Sequence, residues 1–305
     1  DGAVGAAGTA TSVAGIPFYR GDGNNSSIYT HDVSGTDSTA QYNTAYGINA
    51  LDAITTGDKN TAIGNTAGSA LTEATDSVLI GNEAGAAITT GVKNVAVGSF
   101  ALDASNTGSE NTAIGHQALT ADTKGGRNVA VGHGTLATQN FTSATSSYNI
   151  AVGYNAGNSI TTGQSNTLIG ALAGDGFDTE SNNLAIGRAA LGGAVNGGEN
   201  NVAIGNYSLD ALTTADYNTA VGYAAGSAKT SGNHCTFIGY DAGLNCTTGT
   251  DVTFVGSEAG DGHDTESYNT GVGSGALGGP IAGGEKNVAV GAYTLDALTS
   301  GDSNN

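Results

Sequence analysis

The chain has 305 residues, 51 of them Gly, no Trp or Met, and only 11% charged side chains. Lys and Arg total 8 against 27 Asp and Glu, a formal net charge of −19. This repels phosphate and anionic lipid and excludes the phosphate-neutralising mode of nucleic-acid binding. No apolar run approaches the roughly 18–20 residues of a membrane-spanning helix, so neither nucleic acid nor an inserted membrane segment is expected as a partner.

Residues 1–40 carry no period and are rich in Gly, Ala, Ser and Thr. We expect an irregular entry segment that caps the open edge of whatever follows. Arg20-Gly21-Asp22 within it matches an integrin-binding tripeptide, but three residues recur too readily by chance to carry an argument. The absence of Met leads us to expect a processed or partial piece of a longer protein, with attachment and recognition sequences lying beyond it.

Over 41–305 a rhythm takes over. Glycines return every 17 residues at Gly47, Gly64, Gly81, Gly98, Gly115 and Gly132, and the series resumes from Gly153 to Gly291. The step from Gly132 to Gly153 is four residues longer, and those from Gly187 to Gly205 and from Gly273 to Gly291 are one longer. Insertions that leave the later register intact belong to loops on a regular stack. The pattern predicts an all-β chain, a parallel β-solenoid (β-roll) of about fifteen 17-residue coils. Glycine content and period exclude helix.

Asn60-Thr61-Ala62-Ile63-Gly64 shows the strand of each coil most clearly. Asn94 to Gly98, with Val97, and Asn111 to Gly115, with Ile114, repeat it. Period-two alternation puts Thr61 and Ile63 on one face, expected to fill the coil interior, and turns Ala62 the other way. Four residues after each glycine stands Leu or Gly, as at Leu51, Gly68 and Leu102. This predicts a turn or second short strand whose Leu fills the interior, with a bulkier neighbour compensating where Gly stands. Connectors such as Thr55-Thr56-Gly57-Asp58-Lys59 then close the coil through residues that tolerate positive φ. The Asn column is expected to hydrogen-bond along the stack. One Ile or Val and one β-branched residue bury little apolar area against the entropy of ordering a coil. The Ala face, with Leu79, Leu168, Phe237 and Phe254, would stay wet in a monomer. A cyclic homo-oligomer is therefore expected.

The candidate sites are few. His116 and His133 share an exterior column with Tyr154, Tyr223 and Tyr240, but no further ligand stands at metal-binding spacing. Asp175, Asp178 and Glu180 recur as Asp261, Asp264 and Glu266 at an offset of 86. Such carboxylates suit Ca²⁺, although the spacing matches no calcium loop and internal duplication alone accounts for the recurrence. Cys235 and Cys246 are read as free thiols, with a local disulfide as the alternative. No nucleophile–His–acid set or phosphate loop stands out, so neither an enzyme nor a cofactor is expected. A capsule depolymerase and an ice-binding Thr array remain the competing classes.

The Asn-Thr-Ala-Ile-Gly and Asn-Val-Ala-Val-Gly units resemble the YadA-like head repeats of trimeric autotransporter adhesins. The longer coil with its Thr-Thr-Gly connector is still more similar to tail-fibre shafts of tailed bacteriophages, as are Gly15 to Asp22 and Ile28 to Asp32. The resemblance covers 41–305. It implies a left-handed roll, a homotrimeric fibre and an extracellular place on the virion tail. By the same resemblance the shaft presents a region that binds a host cell-surface receptor, a glycan by expectation. The alternative it implies is the head or stalk of a bacterial trimeric autotransporter adhesin.

Overall fold

A computed structural model describes residues 11–13, 16–18, 27–30, 38–193, 197–280 and 283–304. Arg20-Gly21-Asp22, most of the entry segment and most of the Gly15 to Asp22 stretch lie outside the described residues. The chain divides into two compact units, Asp1–Asn149 and Ile150–Asn305. Every regular element among the described residues is a strand, and no helix is long and apolar enough to cross a membrane.

Three residues per coil form strand, and identical positions in successive coils pair in parallel. In the first unit the order is Ile28–Tyr29, Thr44–Tyr46, Thr61–Ile63, Val78–Ile80, Val95–Val97, Thr112–Ile114 and Val129–Val131. The stack thus includes Ile28–Tyr29, ahead of residue 41. Two further strands, Thr11–Val13 and Ile16–Phe18, pair antiparallel. The four-residue insertion before Gly153 adds a side ladder in which Thr145–Ser146 pairs with Gly125–Gly126. The second unit stacks nine strands from Ile150–Val152 to Val288–Val290, all parallel. Each unit is a parallel β-solenoid. The turns stack as well: Leu51 N–H donates to Ala67 O at 3.0 Å and Thr55 N–H to Thr72 O at 3.0 Å.

The faces of the strand are reversed from the sequence reading. Ala62, Ala96 and Ala113 are fully buried, whereas Ile63 and Ile114 are each 39% exposed. The reason is the narrowness of the coil. The side chain at the centre of the strand faces a turn residue across a space that holds one large group. Where the turn carries a buried Leu, such as Leu102 or Leu119, the strand centre is Ala. Where the strand centre is Leu or Phe, the turn carries Gly: a Cβ on Gly85 would lie 2.8 Å from Leu79 Cδ2, and one on Gly243 would lie 2.3 Å from Phe237 Cδ1. Leu79, Leu168, Phe237 and Phe254 therefore fill the core and do not line a second face.

That turn position has positive φ throughout, 56° at Leu51 and 59° at Gly68. A left-handed Leu costs about 1–2 kcal/mol, which burial of its side chain offsets. Glycine avoids the cost and leaves room for the larger strand residue. In the connector, positive φ falls on the last residue, Lys59, Arg127 or Tyr217, and not on Gly57.

The glycine that ends each strand is required for two reasons. Its φ is near +136° at Gly115, a region closed to side-chain-bearing residues. A Cβ there would also lie 2.6 Å from the carbonyl carbon of Gly132 in the next coil. Gly115→Ala is expected to cost on the order of 3 kcal/mol, read as a fall in thermal midpoint. An unchanged midpoint would refute this account of the repeat.

Candidate functional site

Inside the coils runs a ladder of buried amides. Asn111 Nδ2 donates to Gly125 O at 2.9 Å, and its Oδ1 accepts from Asn128 N–H at 3.0 Å. Asn60 and Asn94 repeat the pattern: Asn60 Nδ2 donates to Ala74 O and Asn94 Nδ2 to Gly108 O, both at 2.8 Å. Each amide therefore closes its own connector and holds the backbone of the next coil. Ser77 does half of this, accepting from Asn94 N–H at 3.2 Å.

A second interior column, absent from the sequence reading, stands three residues after the Leu or Gly of the turn. It begins as Ile54, Leu71 and Ile88, all fully buried. It then turns polar at Ser105, Asp122 and Gln139, all buried, where Gln139 Nε2 donates to Asp122 Oδ2 at 2.6 Å and Gln139 Oε1 accepts from Asn149 Nδ2 at 2.8 Å. Burial pushes the Asp122 carboxyl up, against the hydrogen bond from Gln139. In the second unit the column includes Ile160, Phe177, Leu212, Lys229, Cys246 and His263, each buried. Lys229 Nζ donates to Gly249 O and lies 3.7 Å from Cys246 Sγ. Both cysteines are free, and burial pushes the Cys246 thiol up to about 11, which keeps it protonated. The 17-residue register was enough to place this column, but mixed Ile, Asp, Lys and His chemistry hides it from a hydropathy pattern.

The acidic loops are turn braces. Glu180 Oε2 accepts from Asp178 N–H at 2.7 Å and its Oε1 from Gly197 N–H at 2.8 Å. Glu266 does the same for Asp264 N–H and Gly283 N–H, both at 3.0 Å. Thr161 and Thr247 hydroxyls donate to the Asp178 and Asp264 carboxylates. Asp175 and Asp261 stand apart from these braces, on the preceding turn. Among the described residues no three His, Cys, Asp or Glu side chains converge as metal ligands. The first threonine of a Thr-Thr pair spends its hydroxyl on the neighbouring coil: Thr55 Oγ1 donates to Thr72 O at 2.9 Å and Thr213 Oγ1 to Thr230 O at 2.8 Å.

The exterior carries two further lines. His116 stacks on His133 with ring centroids 5.2 Å apart, and Tyr223 on Tyr240 at 5.6 Å. On the outer face of the strands a stripe runs up each unit. In the first it reads Tyr46, Ile63, Ile80, Val97, Ile114 and Val131, in register from coil to coil. In the second it reads from Val152 through Ile169, Ile186, Ile204 and Val221 to Val290. Flanking it two residues earlier stand Thr, Val, Ile or Leu, and neither column holds a charged residue. Half-exposed and uncharged, with Ile and Val along one column and Thr frequent in the other, this surface is the candidate interaction site.

No protein-family model, no curated protein and no solved structure matches the chain.

Two outcomes follow from the interior columns. Asn111→Ala strands Gly125 O and Asn128 N–H and should cost about 2–4 kcal/mol, with Asn111→Ser losing less; equal melting of all three chains would contradict the ladder. Burial lowers His263 to about 4 from 6.5. Its folded form is neutral, so this stability is whole above pH 6.5 and is lost as pH falls towards 4. The duplicate position holds Phe177, so His263→Phe should fold and remove on the order of 3 kcal/mol of that acid sensitivity. Denaturant melts at several pH values measure it, and parallel curves for the two chains would count against it.

Proposed function

We propose that the chain is the repeat shaft of an extracellular adhesive fibre, a homotrimer of the kind that forms tail-fibre shafts of tailed bacteriophages. The observation that carries this reading is the uncharged stripe on the outer strand face. Its residues recur once per coil, so the surface best matched to it is one with the same rise per coil, which another copy of the chain supplies. Elsewhere a formal charge of −19 keeps copies apart, and contact is favoured where charge is missing. Burying a row of half-exposed Ile and Val side chains contributes about 25 cal/mol per Å² of apolar area, repeated at every rung. A trimer shares that row among three chains about one axis, and the shaft so built carries a host-receptor-binding region away from the particle.

The assembly is tested by solution mass. The chain should sediment at three times 29.7 kDa, and the pair Ile63→Lys and Ile114→Lys should release single chains. A 29.7 kDa species at micromolar concentration for the unaltered chain would end the proposal. Antibodies raised against the chain should decorate fibres on virions; labelling of a bacterial envelope instead selects the surface-adhesin alternative.

A further inference from the structure

Where the four-residue insertion interrupts the repeat, the first unit has a cleft of about 190 Å³ built by three successive connectors. Thr107 and Ser109 come from the first connector, Lys124, Gly126 and Arg127 from the second, and Thr145 and Ser146 from the third. The side ladder holds Thr145–Ser146 on Gly125–Gly126, and Arg127 N–H donates to Ser109 O at 3.0 Å, so Gly126 is the low point between its neighbours. Apart from Gly126, Ala144 is the one lining residue without a polar side chain.

The repeat itself shows what chemistry fits there. In several connectors the side chain two residues before the Asn column accepts the backbone N–H of the equivalent residue one coil earlier. Asp58 Oδ1 accepts from Gln41 N–H and Asp216 Oδ1 from Glu199 N–H, both at 2.7 Å, and Ser109 Oγ accepts from Val92 N–H at 3.0 Å. The next residue in this column is Gly126, which has no side chain to offer Ser109. A Cβ on Gly126 would lie 3.6 Å from Ser109 N, so a carboxylate there would be within reach. Ser109 N–H has no acceptor among the described residues.

The surrounding charge is positive although the chain as a whole is acidic. Three of the 8 Lys and Arg, Lys93, Lys124 and Arg127, fall within three successive coils. Arg127 and then Lys93 hold the Glu110 carboxyl below its usual range. Arg127 Nε donates to Glu110 Oε2 at 2.9 Å, and Nη1 donates to Ser146 Oγ at 2.6 Å and to the Tyr148 hydroxyl at 3.1 Å. Its Nη2 has no partner among the described residues. Lys124 Nζ gives one proton to Thr142 O at 3.1 Å and keeps two.

We propose that this cleft binds a carboxylate-bearing sugar of the hexuronate class, its carboxylate accepting from Ser109 N–H as Asp58 accepts from Gln41 N–H. Lys124 and Arg127 flank that carboxylate, and charge-assisted hydrogen bonds of this kind are the strong ones. The hydroxyls of Thr107, Thr145 and Ser146 face the sugar ring, whose own hydroxyls suit a polar lining better than an apolar ligand would. The inference goes beyond the fibre reading and requires neither the trimer nor a virion.

The test uses the full chain, with D-glucuronate as probe and the Ser109 amide resonance as readout. A saturable shift is expected, weakening as salt rises. D-glucose, which lacks the carboxylate, and acetate, which lacks the ring, should each bind about tenfold more weakly. Lys124→Gln should weaken glucuronate by about tenfold, and Gly126→Asp should abolish its binding by supplying the carboxylate from within. Melting midpoints show which variants fold; if Gly126→Asp does not, Lys124→Gln decides. The proposal is overturned by the absence of a saturable shift, by equal binding of glucose or acetate, or by tighter binding of inorganic phosphate. Unchanged affinity in Lys124→Gln or in a folded Gly126→Asp overturns it as well. A trimer that ignores glucuronate defeats this cleft alone, and a monomer that binds it defeats the fibre reading alone.

Discussion

The close stacking of identical backbone turns governs the rest of the molecule. From Gly47 to Gly115 and again from Gly153 to Gly273, each strand-ending glycine faces the carbonyl of the same glycine one coil away, with no room for a Cβ between Gly115 and Gly132. Once that corner is closed, every other position in the coil has an equivalent directly above and below it. Residues then act as columns rather than as individuals. An amide at the start of the strand becomes a ladder, a β-branched residue at its end becomes a stripe, and a turn residue becomes part of a continuous core. Because pairing between rungs is parallel and in register, side-chain choice is free only where a column tolerates variation.

The core shows how that freedom is limited. A coil of this size encloses space for one large side chain between strand and turn, so volume is conserved across the pair and not at either position. Ala62 with Gly68, Ala151 with Gly157 and Ala220 with Gly226 are apparent exceptions, and a large side chain of the next coil fills the space: a Cβ on Gly68 would lie 2.6 Å from Leu79 Cδ1, and one on Gly226 would lie 2.7 Å from Phe237 Cδ2. The interior column beginning at Ile54 follows a looser rule. Asp122, Lys229 and His263 are admitted there, the first two with a hydrogen-bond partner and the third against the Phe254 ring at 4.8 Å. A stack whose backbone bonds are renewed at every rung tolerates an occasional buried polar group that a single small core would not.

How much of this was legible depends on what a period encodes. The 17-residue return of glycine marks the coil, and the loop insertions show themselves as steps that leave the later register intact. The Asn column was readable because an amide before a β-branched strand has few other uses. Orientation was not readable. Alternation separates Ala62 from Ile63 but does not say which faces inward, and the usual rule that larger apolar residues are buried points the wrong way in so narrow a coil. Only the complementary Leu or Gly in the turn carries the answer, and it does so through pairs such as Leu79 with Gly85. The Asp175 and Asp261 repeats were visible as a duplication, yet their carboxylates split: Glu180 and Glu266 brace turns, while Asp175 and Asp261 lie over Gly192 and Gly278 of the next coil. Adjacent residues in a connector face different surroundings, and spacing along the chain does not distinguish them.

The duplication also makes the molecule its own comparison. Between the two blocks the framework positions agree: Tyr207 with Tyr293, Asp210 with Asp296, Gly192 with Gly278, Glu180 with Glu266. The blocks differ on the surface at Arg188 against Ser274, Leu172 against Glu258 and Asn200 against Lys286, and also at Ala189 against Gly275, where a Cβ would lie 2.7 Å from Tyr293 Cδ1. Phe177 against His263 and Ala185 against Gly271 are interior differences, and the first keeps a planar ring in the core while adding a group that burial holds neutral. The stack therefore holds the corner glycines, the Asn ladder and the glutamate brace fixed from one block to the next, because each is bound to the coil above or below it, while positions outside these columns are free to vary.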